Sequence, residues 1–133
     1  MIYLDTSVVL AELLAEDRRP RPDFWKGQLV SSRLLEYEVW TRVHARRAAT
    51  AHGEAVREIL GAVAIVELAP TVLARAVEPF PVAAGTKLRT LDAMHLATAL
   101  FLAERRQRVE VATYDERMAR AARGLGLGVL AAL

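Results

Sequence analysis

Short apolar runs alternate with longer amphipathic ones along the whole chain. Ile2–Leu4 is a bulky run of the kind that forms a buried strand, and Val8–Glu16 places its apolar residues at helical spacing. A polar connection containing Pro20 and Pro22 follows. Phe24 and Trp25 then mark a segment that packs back on the body or opens a short helical turn. Gln28–Val30 predicts a weak strand, and Ser31 and Ser32 offer caps for a long helix over about Arg33–Ala49. Gly53 is expected to break that pattern before a second helix over Glu54–Val63. Ala64–Leu68 predicts a strand, and Pro70 and Thr71 start a helix around Val72–Glu78 that Pro79 and Pro81 end. Lys87–Arg105 reads as a helix, Val109–Thr113 as the clearest strand and Glu116–Arg123 as a short helix. Leu127–Leu130 is a last strand beyond Gly124 and Gly126.

Strands separated by helices imply parallel pairing through crossover connections. The expected fold class is α/β, a three-layer α/β/α sandwich around a central parallel sheet of four to five strands. No repeat, low-complexity tract or linker interrupts the pattern, so residues 1–133 are expected to form one domain.

Composition narrows the chemistry only a little. Apolar residues make up 53% and charged ones 26% of the chain, a globular balance, and the net charge of +2 neither demands nor excludes a nucleic-acid partner. Cysteine is absent, which removes disulfides and thiolate metal sites. The longest apolar stretch, Ala93–Ala103, carries His95 and Thr98 and is too short to span a bilayer. With no secretory signal pattern at the start, a cytoplasmic location is expected.

Four acids stand where solvated charges do not belong. Asp5 and Asp115 each follow a predicted strand, the position at which open α/β sheets bind ligands. Either could equally cap the next helix, and Thr113 with Glu116 could form a capping box. Glu38 falls among the apolar positions of its helix, where it needs a metal or a partner such as Arg42 at i+4. Asp92 shares the apolar stripe of Leu96, Ala99 and Leu100, although it could also serve the helix start through the macrodipole. His95, one turn on, reads as a structural hydrogen-bonding group. Were the first strand to neighbour the fourth, the acids would converge and repel by about 1–4 kcal/mol per close pair. A hard divalent cation removes that repulsion, and an all-oxygen set suits Mg2+ or Mn2+.

Leu4-Asp5-Thr6-Ser7, the segment from Ser32 through Glu38-Val39-Trp40-Thr41-Arg42, Leu88-Arg89-Thr90-Leu91-Asp92-Ala93-Met94-His95-Leu96-Ala97, and Thr113-Tyr114-Asp115 occur in that order over nearly the whole length. In these motifs the chain resembles the PIN-domain ribonucleases, in particular the VapC-type toxins of toxin–antitoxin pairs. The resemblance implies an Mg2+- or Mn2+-dependent endoribonuclease whose catalytic, metal-binding acids are Asp5, Glu38, Asp92 and Asp115. Thr6 and Thr113 would be supporting hydroxyls. It implies in-line hydrolysis of RNA to a 5′-phosphate and a 3′-hydroxyl; Arg42, Arg46 and Arg89, at the edges of such a site, could grip the backbone or stand as ordinary solvated charges. It further implies a homodimer and a VapB-type antitoxin partner. Two other classes share parts of the pattern: a phosphoacceptor signalling domain, and a catalytically silent interaction module with the same body. The first usually pairs two acids after its first strand, whereas here Thr6 and Ser7 follow Asp5.

Overall fold

The structure, a computed structural model, describes residues 1–78, 88–105, 107–131 and 133. Five strands, β1 (Ile2–Leu4), β2 (Leu29–Ser32), β3 (Ala64–Val66), β4 (Glu110–Ala112) and β5 (Gly128–Val129), form one parallel sheet in the order β3-β2-β1-β4-β5. The helices are α1 (Thr6–Leu13), α2 (Leu34–Ala45), α3 (Ala49–Gly61), α4 (Pro70–Val77), α5 (Thr90–Glu104) and α6 (Glu116–Gly124), with a 3-10 turn at Phe24–Lys26 before β2. Every predicted strand and helix is present, in the predicted order.

Side chains of successive strand residues point to opposite faces, and each face of the sheet carries its own core. Tyr3, Val30 and Val111 join Leu96, Leu100 and Met118 beneath α5 and α6. Leu4, Leu29 and Ala112 join Val8, Val9, Leu35, Val39 and Val56 beneath α1, α2 and α3. The result is the expected three-layer α/β/α sandwich. Among the described residues, no helix is long and apolar enough to cross a membrane.

The expected boundaries fail at the helix ends, for one local reason. Helix α1 stops at Leu13 and not at Glu16, because Ala15 takes φ 51° and the chain closes with Ala15 N–H to Glu12 C=O and Glu16 N–H to Ala11 C=O. Helix α2 stops at Ala45 and not at Ala49 in the same way: Arg47 takes φ 53°, its N–H bonds His44 C=O, and Ala48 N–H bonds Val43 C=O. Both are Schellman endings with a side chain where glycine is usual. Gly53, expected to break the pattern, lies buried inside α3; the break belongs to Arg47. Helix α5 begins at Thr90, and Lys87, its expected start, lies outside the described residues, as do Pro79 and Pro81. Replacing the exposed Arg47 by glycine removes the left-handed strain at a partly offsetting entropic cost, and should raise unfolding stability by about 0.5–1 kcal/mol in urea titrations. A loss of stability in Arg47→Gly would contradict this account of the helix end.

Candidate active site

The sheet reverses its direction of growth between β1 and β4, which makes their carboxyl ends the topological switch point. Each strand is followed there by one of the candidate aspartates, Asp5 or Asp115. The Asp5 backbone extends the ladder, its N–H bonding Ala112 C=O at 3.0 Å. Its side chain, only 6% exposed, caps α1 by accepting from the Ser7 N–H at 3.3 Å. The same oxygen, Oδ2, accepts from the Ser7 hydroxyl and, at 2.8 Å, from the Thr113 hydroxyl. Thr113 in turn accepts from Asp115 N–H, and Ser7 from Tyr114 N–H, both at 3.0 Å. Two hydroxyls thereby stitch the end of β1 to the end of β4. Among the described residues every hydrogen bond to the Asp5 carboxylate falls on Oδ2, so Oδ1 remains unclaimed.

Asp115 caps α6, its Oδ1 accepting from the N–H groups of Arg117 and Met118 at 2.8 and 3.4 Å. The alternative capping box between Thr113 and Glu116 does not form among the described residues, because the Thr113 hydroxyl is engaged with Asp5 and Asp115. Glu38 projects from α2, and its expected alternative partner Arg42 is not the one it uses. Its Oε2 accepts from the Thr6 hydroxyl at 2.6 Å and meets His95 Nε2 at 2.7 Å. Asp92 stands in the first turn of α5, one turn before the buried His95.

These elements deliver Asp5, Glu38, Asp92 and Asp115 to one open cleft of about 500 Å³. Thr6, Ser7, Tyr37, Thr41, Arg42 and Arg89 line it as well, whereas Arg46 does not and instead caps the end of α2. Glu36 stays away from the acids, paired with Arg33 at 2.7 Å. Sequence reasoning leaves open which of Thr6 and Ser7 steadies the site and which starts the helix, and it does not single out Tyr3. Ser7 carried a weak signal, a second hydroxyl beside Asp5, and the two hydroxyls prove to steady different acids: Thr6 holds Glu38, Ser7 holds Asp5. Tyr3 carried none, since an aromatic residue in a buried strand reads only as core.

The electrostatics separate the acids. Burial pushes the Asp92 carboxyl above its usual range, and the negative charges of Asp5 and Asp115 push it further. Burial also acts against ionised Glu38, but the hydrogen bonds from His95 and Thr6 and the nearby cationic charge outweigh it and hold Glu38 below its usual range. Asp115 is held low in the same manner by the Arg117 and Met118 donors. The cleft thus holds carboxylates that repel one another at Asp92 and are fixed by donors elsewhere.

That donor set fits a hard divalent cation: oxygen ligands only, with mutual repulsion for a cation to relieve. Among the described residues no three Asp, Glu, His or Cys side chains form a ready-made ligand cluster. A Mg2+ site asks for none, since one or two carboxylates hold the ion and waters complete its shell.

The PIN domain family model matches residues 2–124. Ribonuclease VapC46 of Mycobacterium tuberculosis (strain ATCC 25618 / H37Rv) is 33% identical over 136 residues, covering 98% of this chain and 96% of that protein. No solved structure gives a significant match. The match across nearly the whole chain, on a parallel α/β/α sandwich, places the protein in a family: it belongs to the PIN-domain proteins, in their VapC-type branch.

Proposed function

We propose that the protein is a Mg2+- or Mn2+-dependent endoribonuclease, the toxin of a type II toxin–antitoxin pair, acting in the cytoplasm to hydrolyse RNA and inhibit translation. The single observation that carries this reading is the convergence of Asp5, Glu38, Asp92 and Asp115 on one cleft at the switch point of the sheet. Asp5 and Asp92 would hold the cation, with Glu38 and Asp115 completing its surroundings directly or through water, and Thr6 and Thr113 steadying the acids. When bound, the cation supplies charge neutralisation at a phosphate and acidifies a water for in-line attack.

The chain's own residues account for the rest. The hydroxyl stitching fixes Asp5 and Asp115 before substrate arrives, so little reorganisation is needed at the moment of reaction. Arg42 and Arg89, both exposed on the cleft wall, lie where they can grip a phosphate backbone. Tyr37 is 65% exposed on the same wall and offers an unpaired base a stacking face. Tyr37→Ala should therefore raise KM about 5- to 10-fold with little change in kcat, the loss expected for one base stack. An unchanged KM would remove Tyr37 from the substrate path.

The 33% identity to Ribonuclease VapC46 supports RNA as the substrate. A homodimer and a VapB-type antitoxin that obstructs the cleft complete the proposal. The test is incubation with structured RNA and Mn2+, with and without EDTA. Cleavage to 5′-phosphate and 3′-hydroxyl ends, abolished by the chelator, is the expected result. Equal cleavage in EDTA would sink the metal-nuclease reading.

A further inference from the structure

A chain of polar groups runs through the otherwise apolar core to the back of the cleft. Ser32 N–H reaches Tyr3 Oη at 3.2 Å, Tyr3 Oη meets His95 Nδ1 at 2.8 Å, and His95 Nε2 meets Glu38 Oε2 at 2.7 Å. Tyr3 is fully buried and His95 is 1% exposed. One arrangement of protons pairs every group: Ser32 N–H donates to Tyr3, the Tyr3 hydroxyl donates to Nδ1, and Nε2–H donates to Glu38. Both ring nitrogens are then engaged, so His95 cannot itself ligate an ion or reach a substrate.

We propose that His95, its tautomer set by Tyr3, is a positioning residue that orients Glu38 in the cleft. The proposal rests on the nuclease reading of that cleft. Glu38 has three rotatable bonds and a side chain only 19% exposed at the cleft, and among the described residues no hydrogen bond from α2 itself fixes its carboxylate. Thr6 and His95 pin Oε2 from the start of α1 and from α5, which leaves Oε1 as the oxygen free to serve the site. Asp92 stands three residues before His95 on α5. A single rigid helix therefore carries one acid and anchors another, and the spacing of Glu38 to Asp92 is set by α5. Packing alone does not ask for this, since an apolar side chain of similar volume would fill the position without burying polar atoms.

The test compares His95→Leu, His95→Gln, Tyr3→Phe and Asp92→Asn with the wild type by Mn2+ titration monitored by EPR, by steady-state cleavage, and by circular dichroism for folding. Removing an outer partner of this kind should weaken Mn2+ binding about 10-fold in His95→Leu. The drop in activity should appear in kcat, with KM for RNA nearly unchanged, because Arg42, Arg89 and Tyr37 lie outside the chain of bonds. His95→Gln, whose amide can donate to Glu38 in place of Nε2–H, should recover most of both losses. Tyr3→Phe should give an intermediate loss, since Nδ1 then lacks the donor that holds the ring's proton on Nε2.

Wild-type Mn2+ affinity in a folded His95→Leu protein would overturn the proposal and leave the nuclease reading standing. Equal losses in the leucine and glutamine variants would overturn it too, by reducing His95 to core packing. Should His95→Leu fail to fold, Tyr3→Phe and His95→Gln decide alone, and an unaltered Tyr3→Phe counts against the proposal. A wild type that neither binds Mn2+ nor differs from Asp92→Asn would instead bring down the nuclease reading, and this inference with it.

Discussion

Asp92→Asn is expected to lower Mn2+-dependent RNA cleavage by about 100-fold or more while leaving the fold intact. The two halves of that expectation come from the same observation. Asp92 lies in the cleft with its carboxyl pushed above the usual range by burial and by the charges of Asp5 and Asp115. In the metal-free protein this is an unfavourable charge. Its sign follows from linkage: a carboxyl whose folded pKa is raised binds its proton more tightly when folded, so ionising it on the way up in pH costs folded stability. Wild type should therefore lose a little stability relative to Asp92→Asn as pH rises through and beyond the ordinary carboxylate range. The two should converge at lower pH, where Asp92 is protonated in both states. Adding Mn2+ should stabilise the wild type more than the variant, because the variant lacks one of the two carboxylates proposed to hold the ion. Melting curves across pH, with and without Mn2+, together with a cleavage assay, check all three parts. A variant that is as active as wild type, or that melts far below it without metal, would mean that Asp92 is a structural acid.

The elements were legible because each is announced by periodicity, and several are closed by local chemistry that residue type reveals. Pro70 starts α4, Gly126 with φ 77° ends α6, and Val109–Thr113 surrounds β4. The ends of α1 and α2 were not legible, because Ala15 and Arg47 adopt a backbone conformation that residue type does not advertise. The acids were legible as misplaced charges: a carboxylate on an apolar stripe, or just past a strand, has few uses. What holds them was harder to see. Arg42 was the natural partner for Glu38 by helical spacing, yet the partners are Thr6 and His95, at sequence separations of 32 and 57. Such pairings arise from α1, α2 and α5 meeting in space. No local pattern encodes that meeting. Tyr3 shows the same limit more sharply, since its hydroxyl has a use only because α5 lies over that face of the sheet.

Asp5 turns the old ambiguity between cap and site acid into a measurable contrast, because the structure gives it both positions at once. Its Oδ2 caps α1 and receives the Ser7 and Thr113 hydroxyls, while Oδ1 takes no hydrogen bond among the described residues. Asp5→Ala should therefore fail twice. Losing the cap costs about 1 kcal/mol, and stranding buried donors adds about 1–3 kcal/mol, partly recovered if Ser7 and Thr113 turn toward each other. Their hydroxyls already stand 3.4 Å apart, which makes that recovery feasible. A net loss of about 2–3 kcal/mol in urea unfolding is expected, with cleavage abolished. Asp5→Asn separates the two duties. Its carbonyl oxygen can keep the cap and both hydroxyl bonds, and its amide then occupies the position of Oδ1, presenting hydrogens where a cation needs an oxygen lone pair. Stability should stay within about 1 kcal/mol of wild type, since asparagine caps helices as well as aspartate does. Cleavage and Mn2+ binding should nonetheless fall as far as in the alanine variant. Equal stability in both variants would show that the hydroxyl stitching contributes nothing to the fold. Retained cleavage in Asp5→Asn would show that Asp5 caps a helix at the edge of the site and holds no metal.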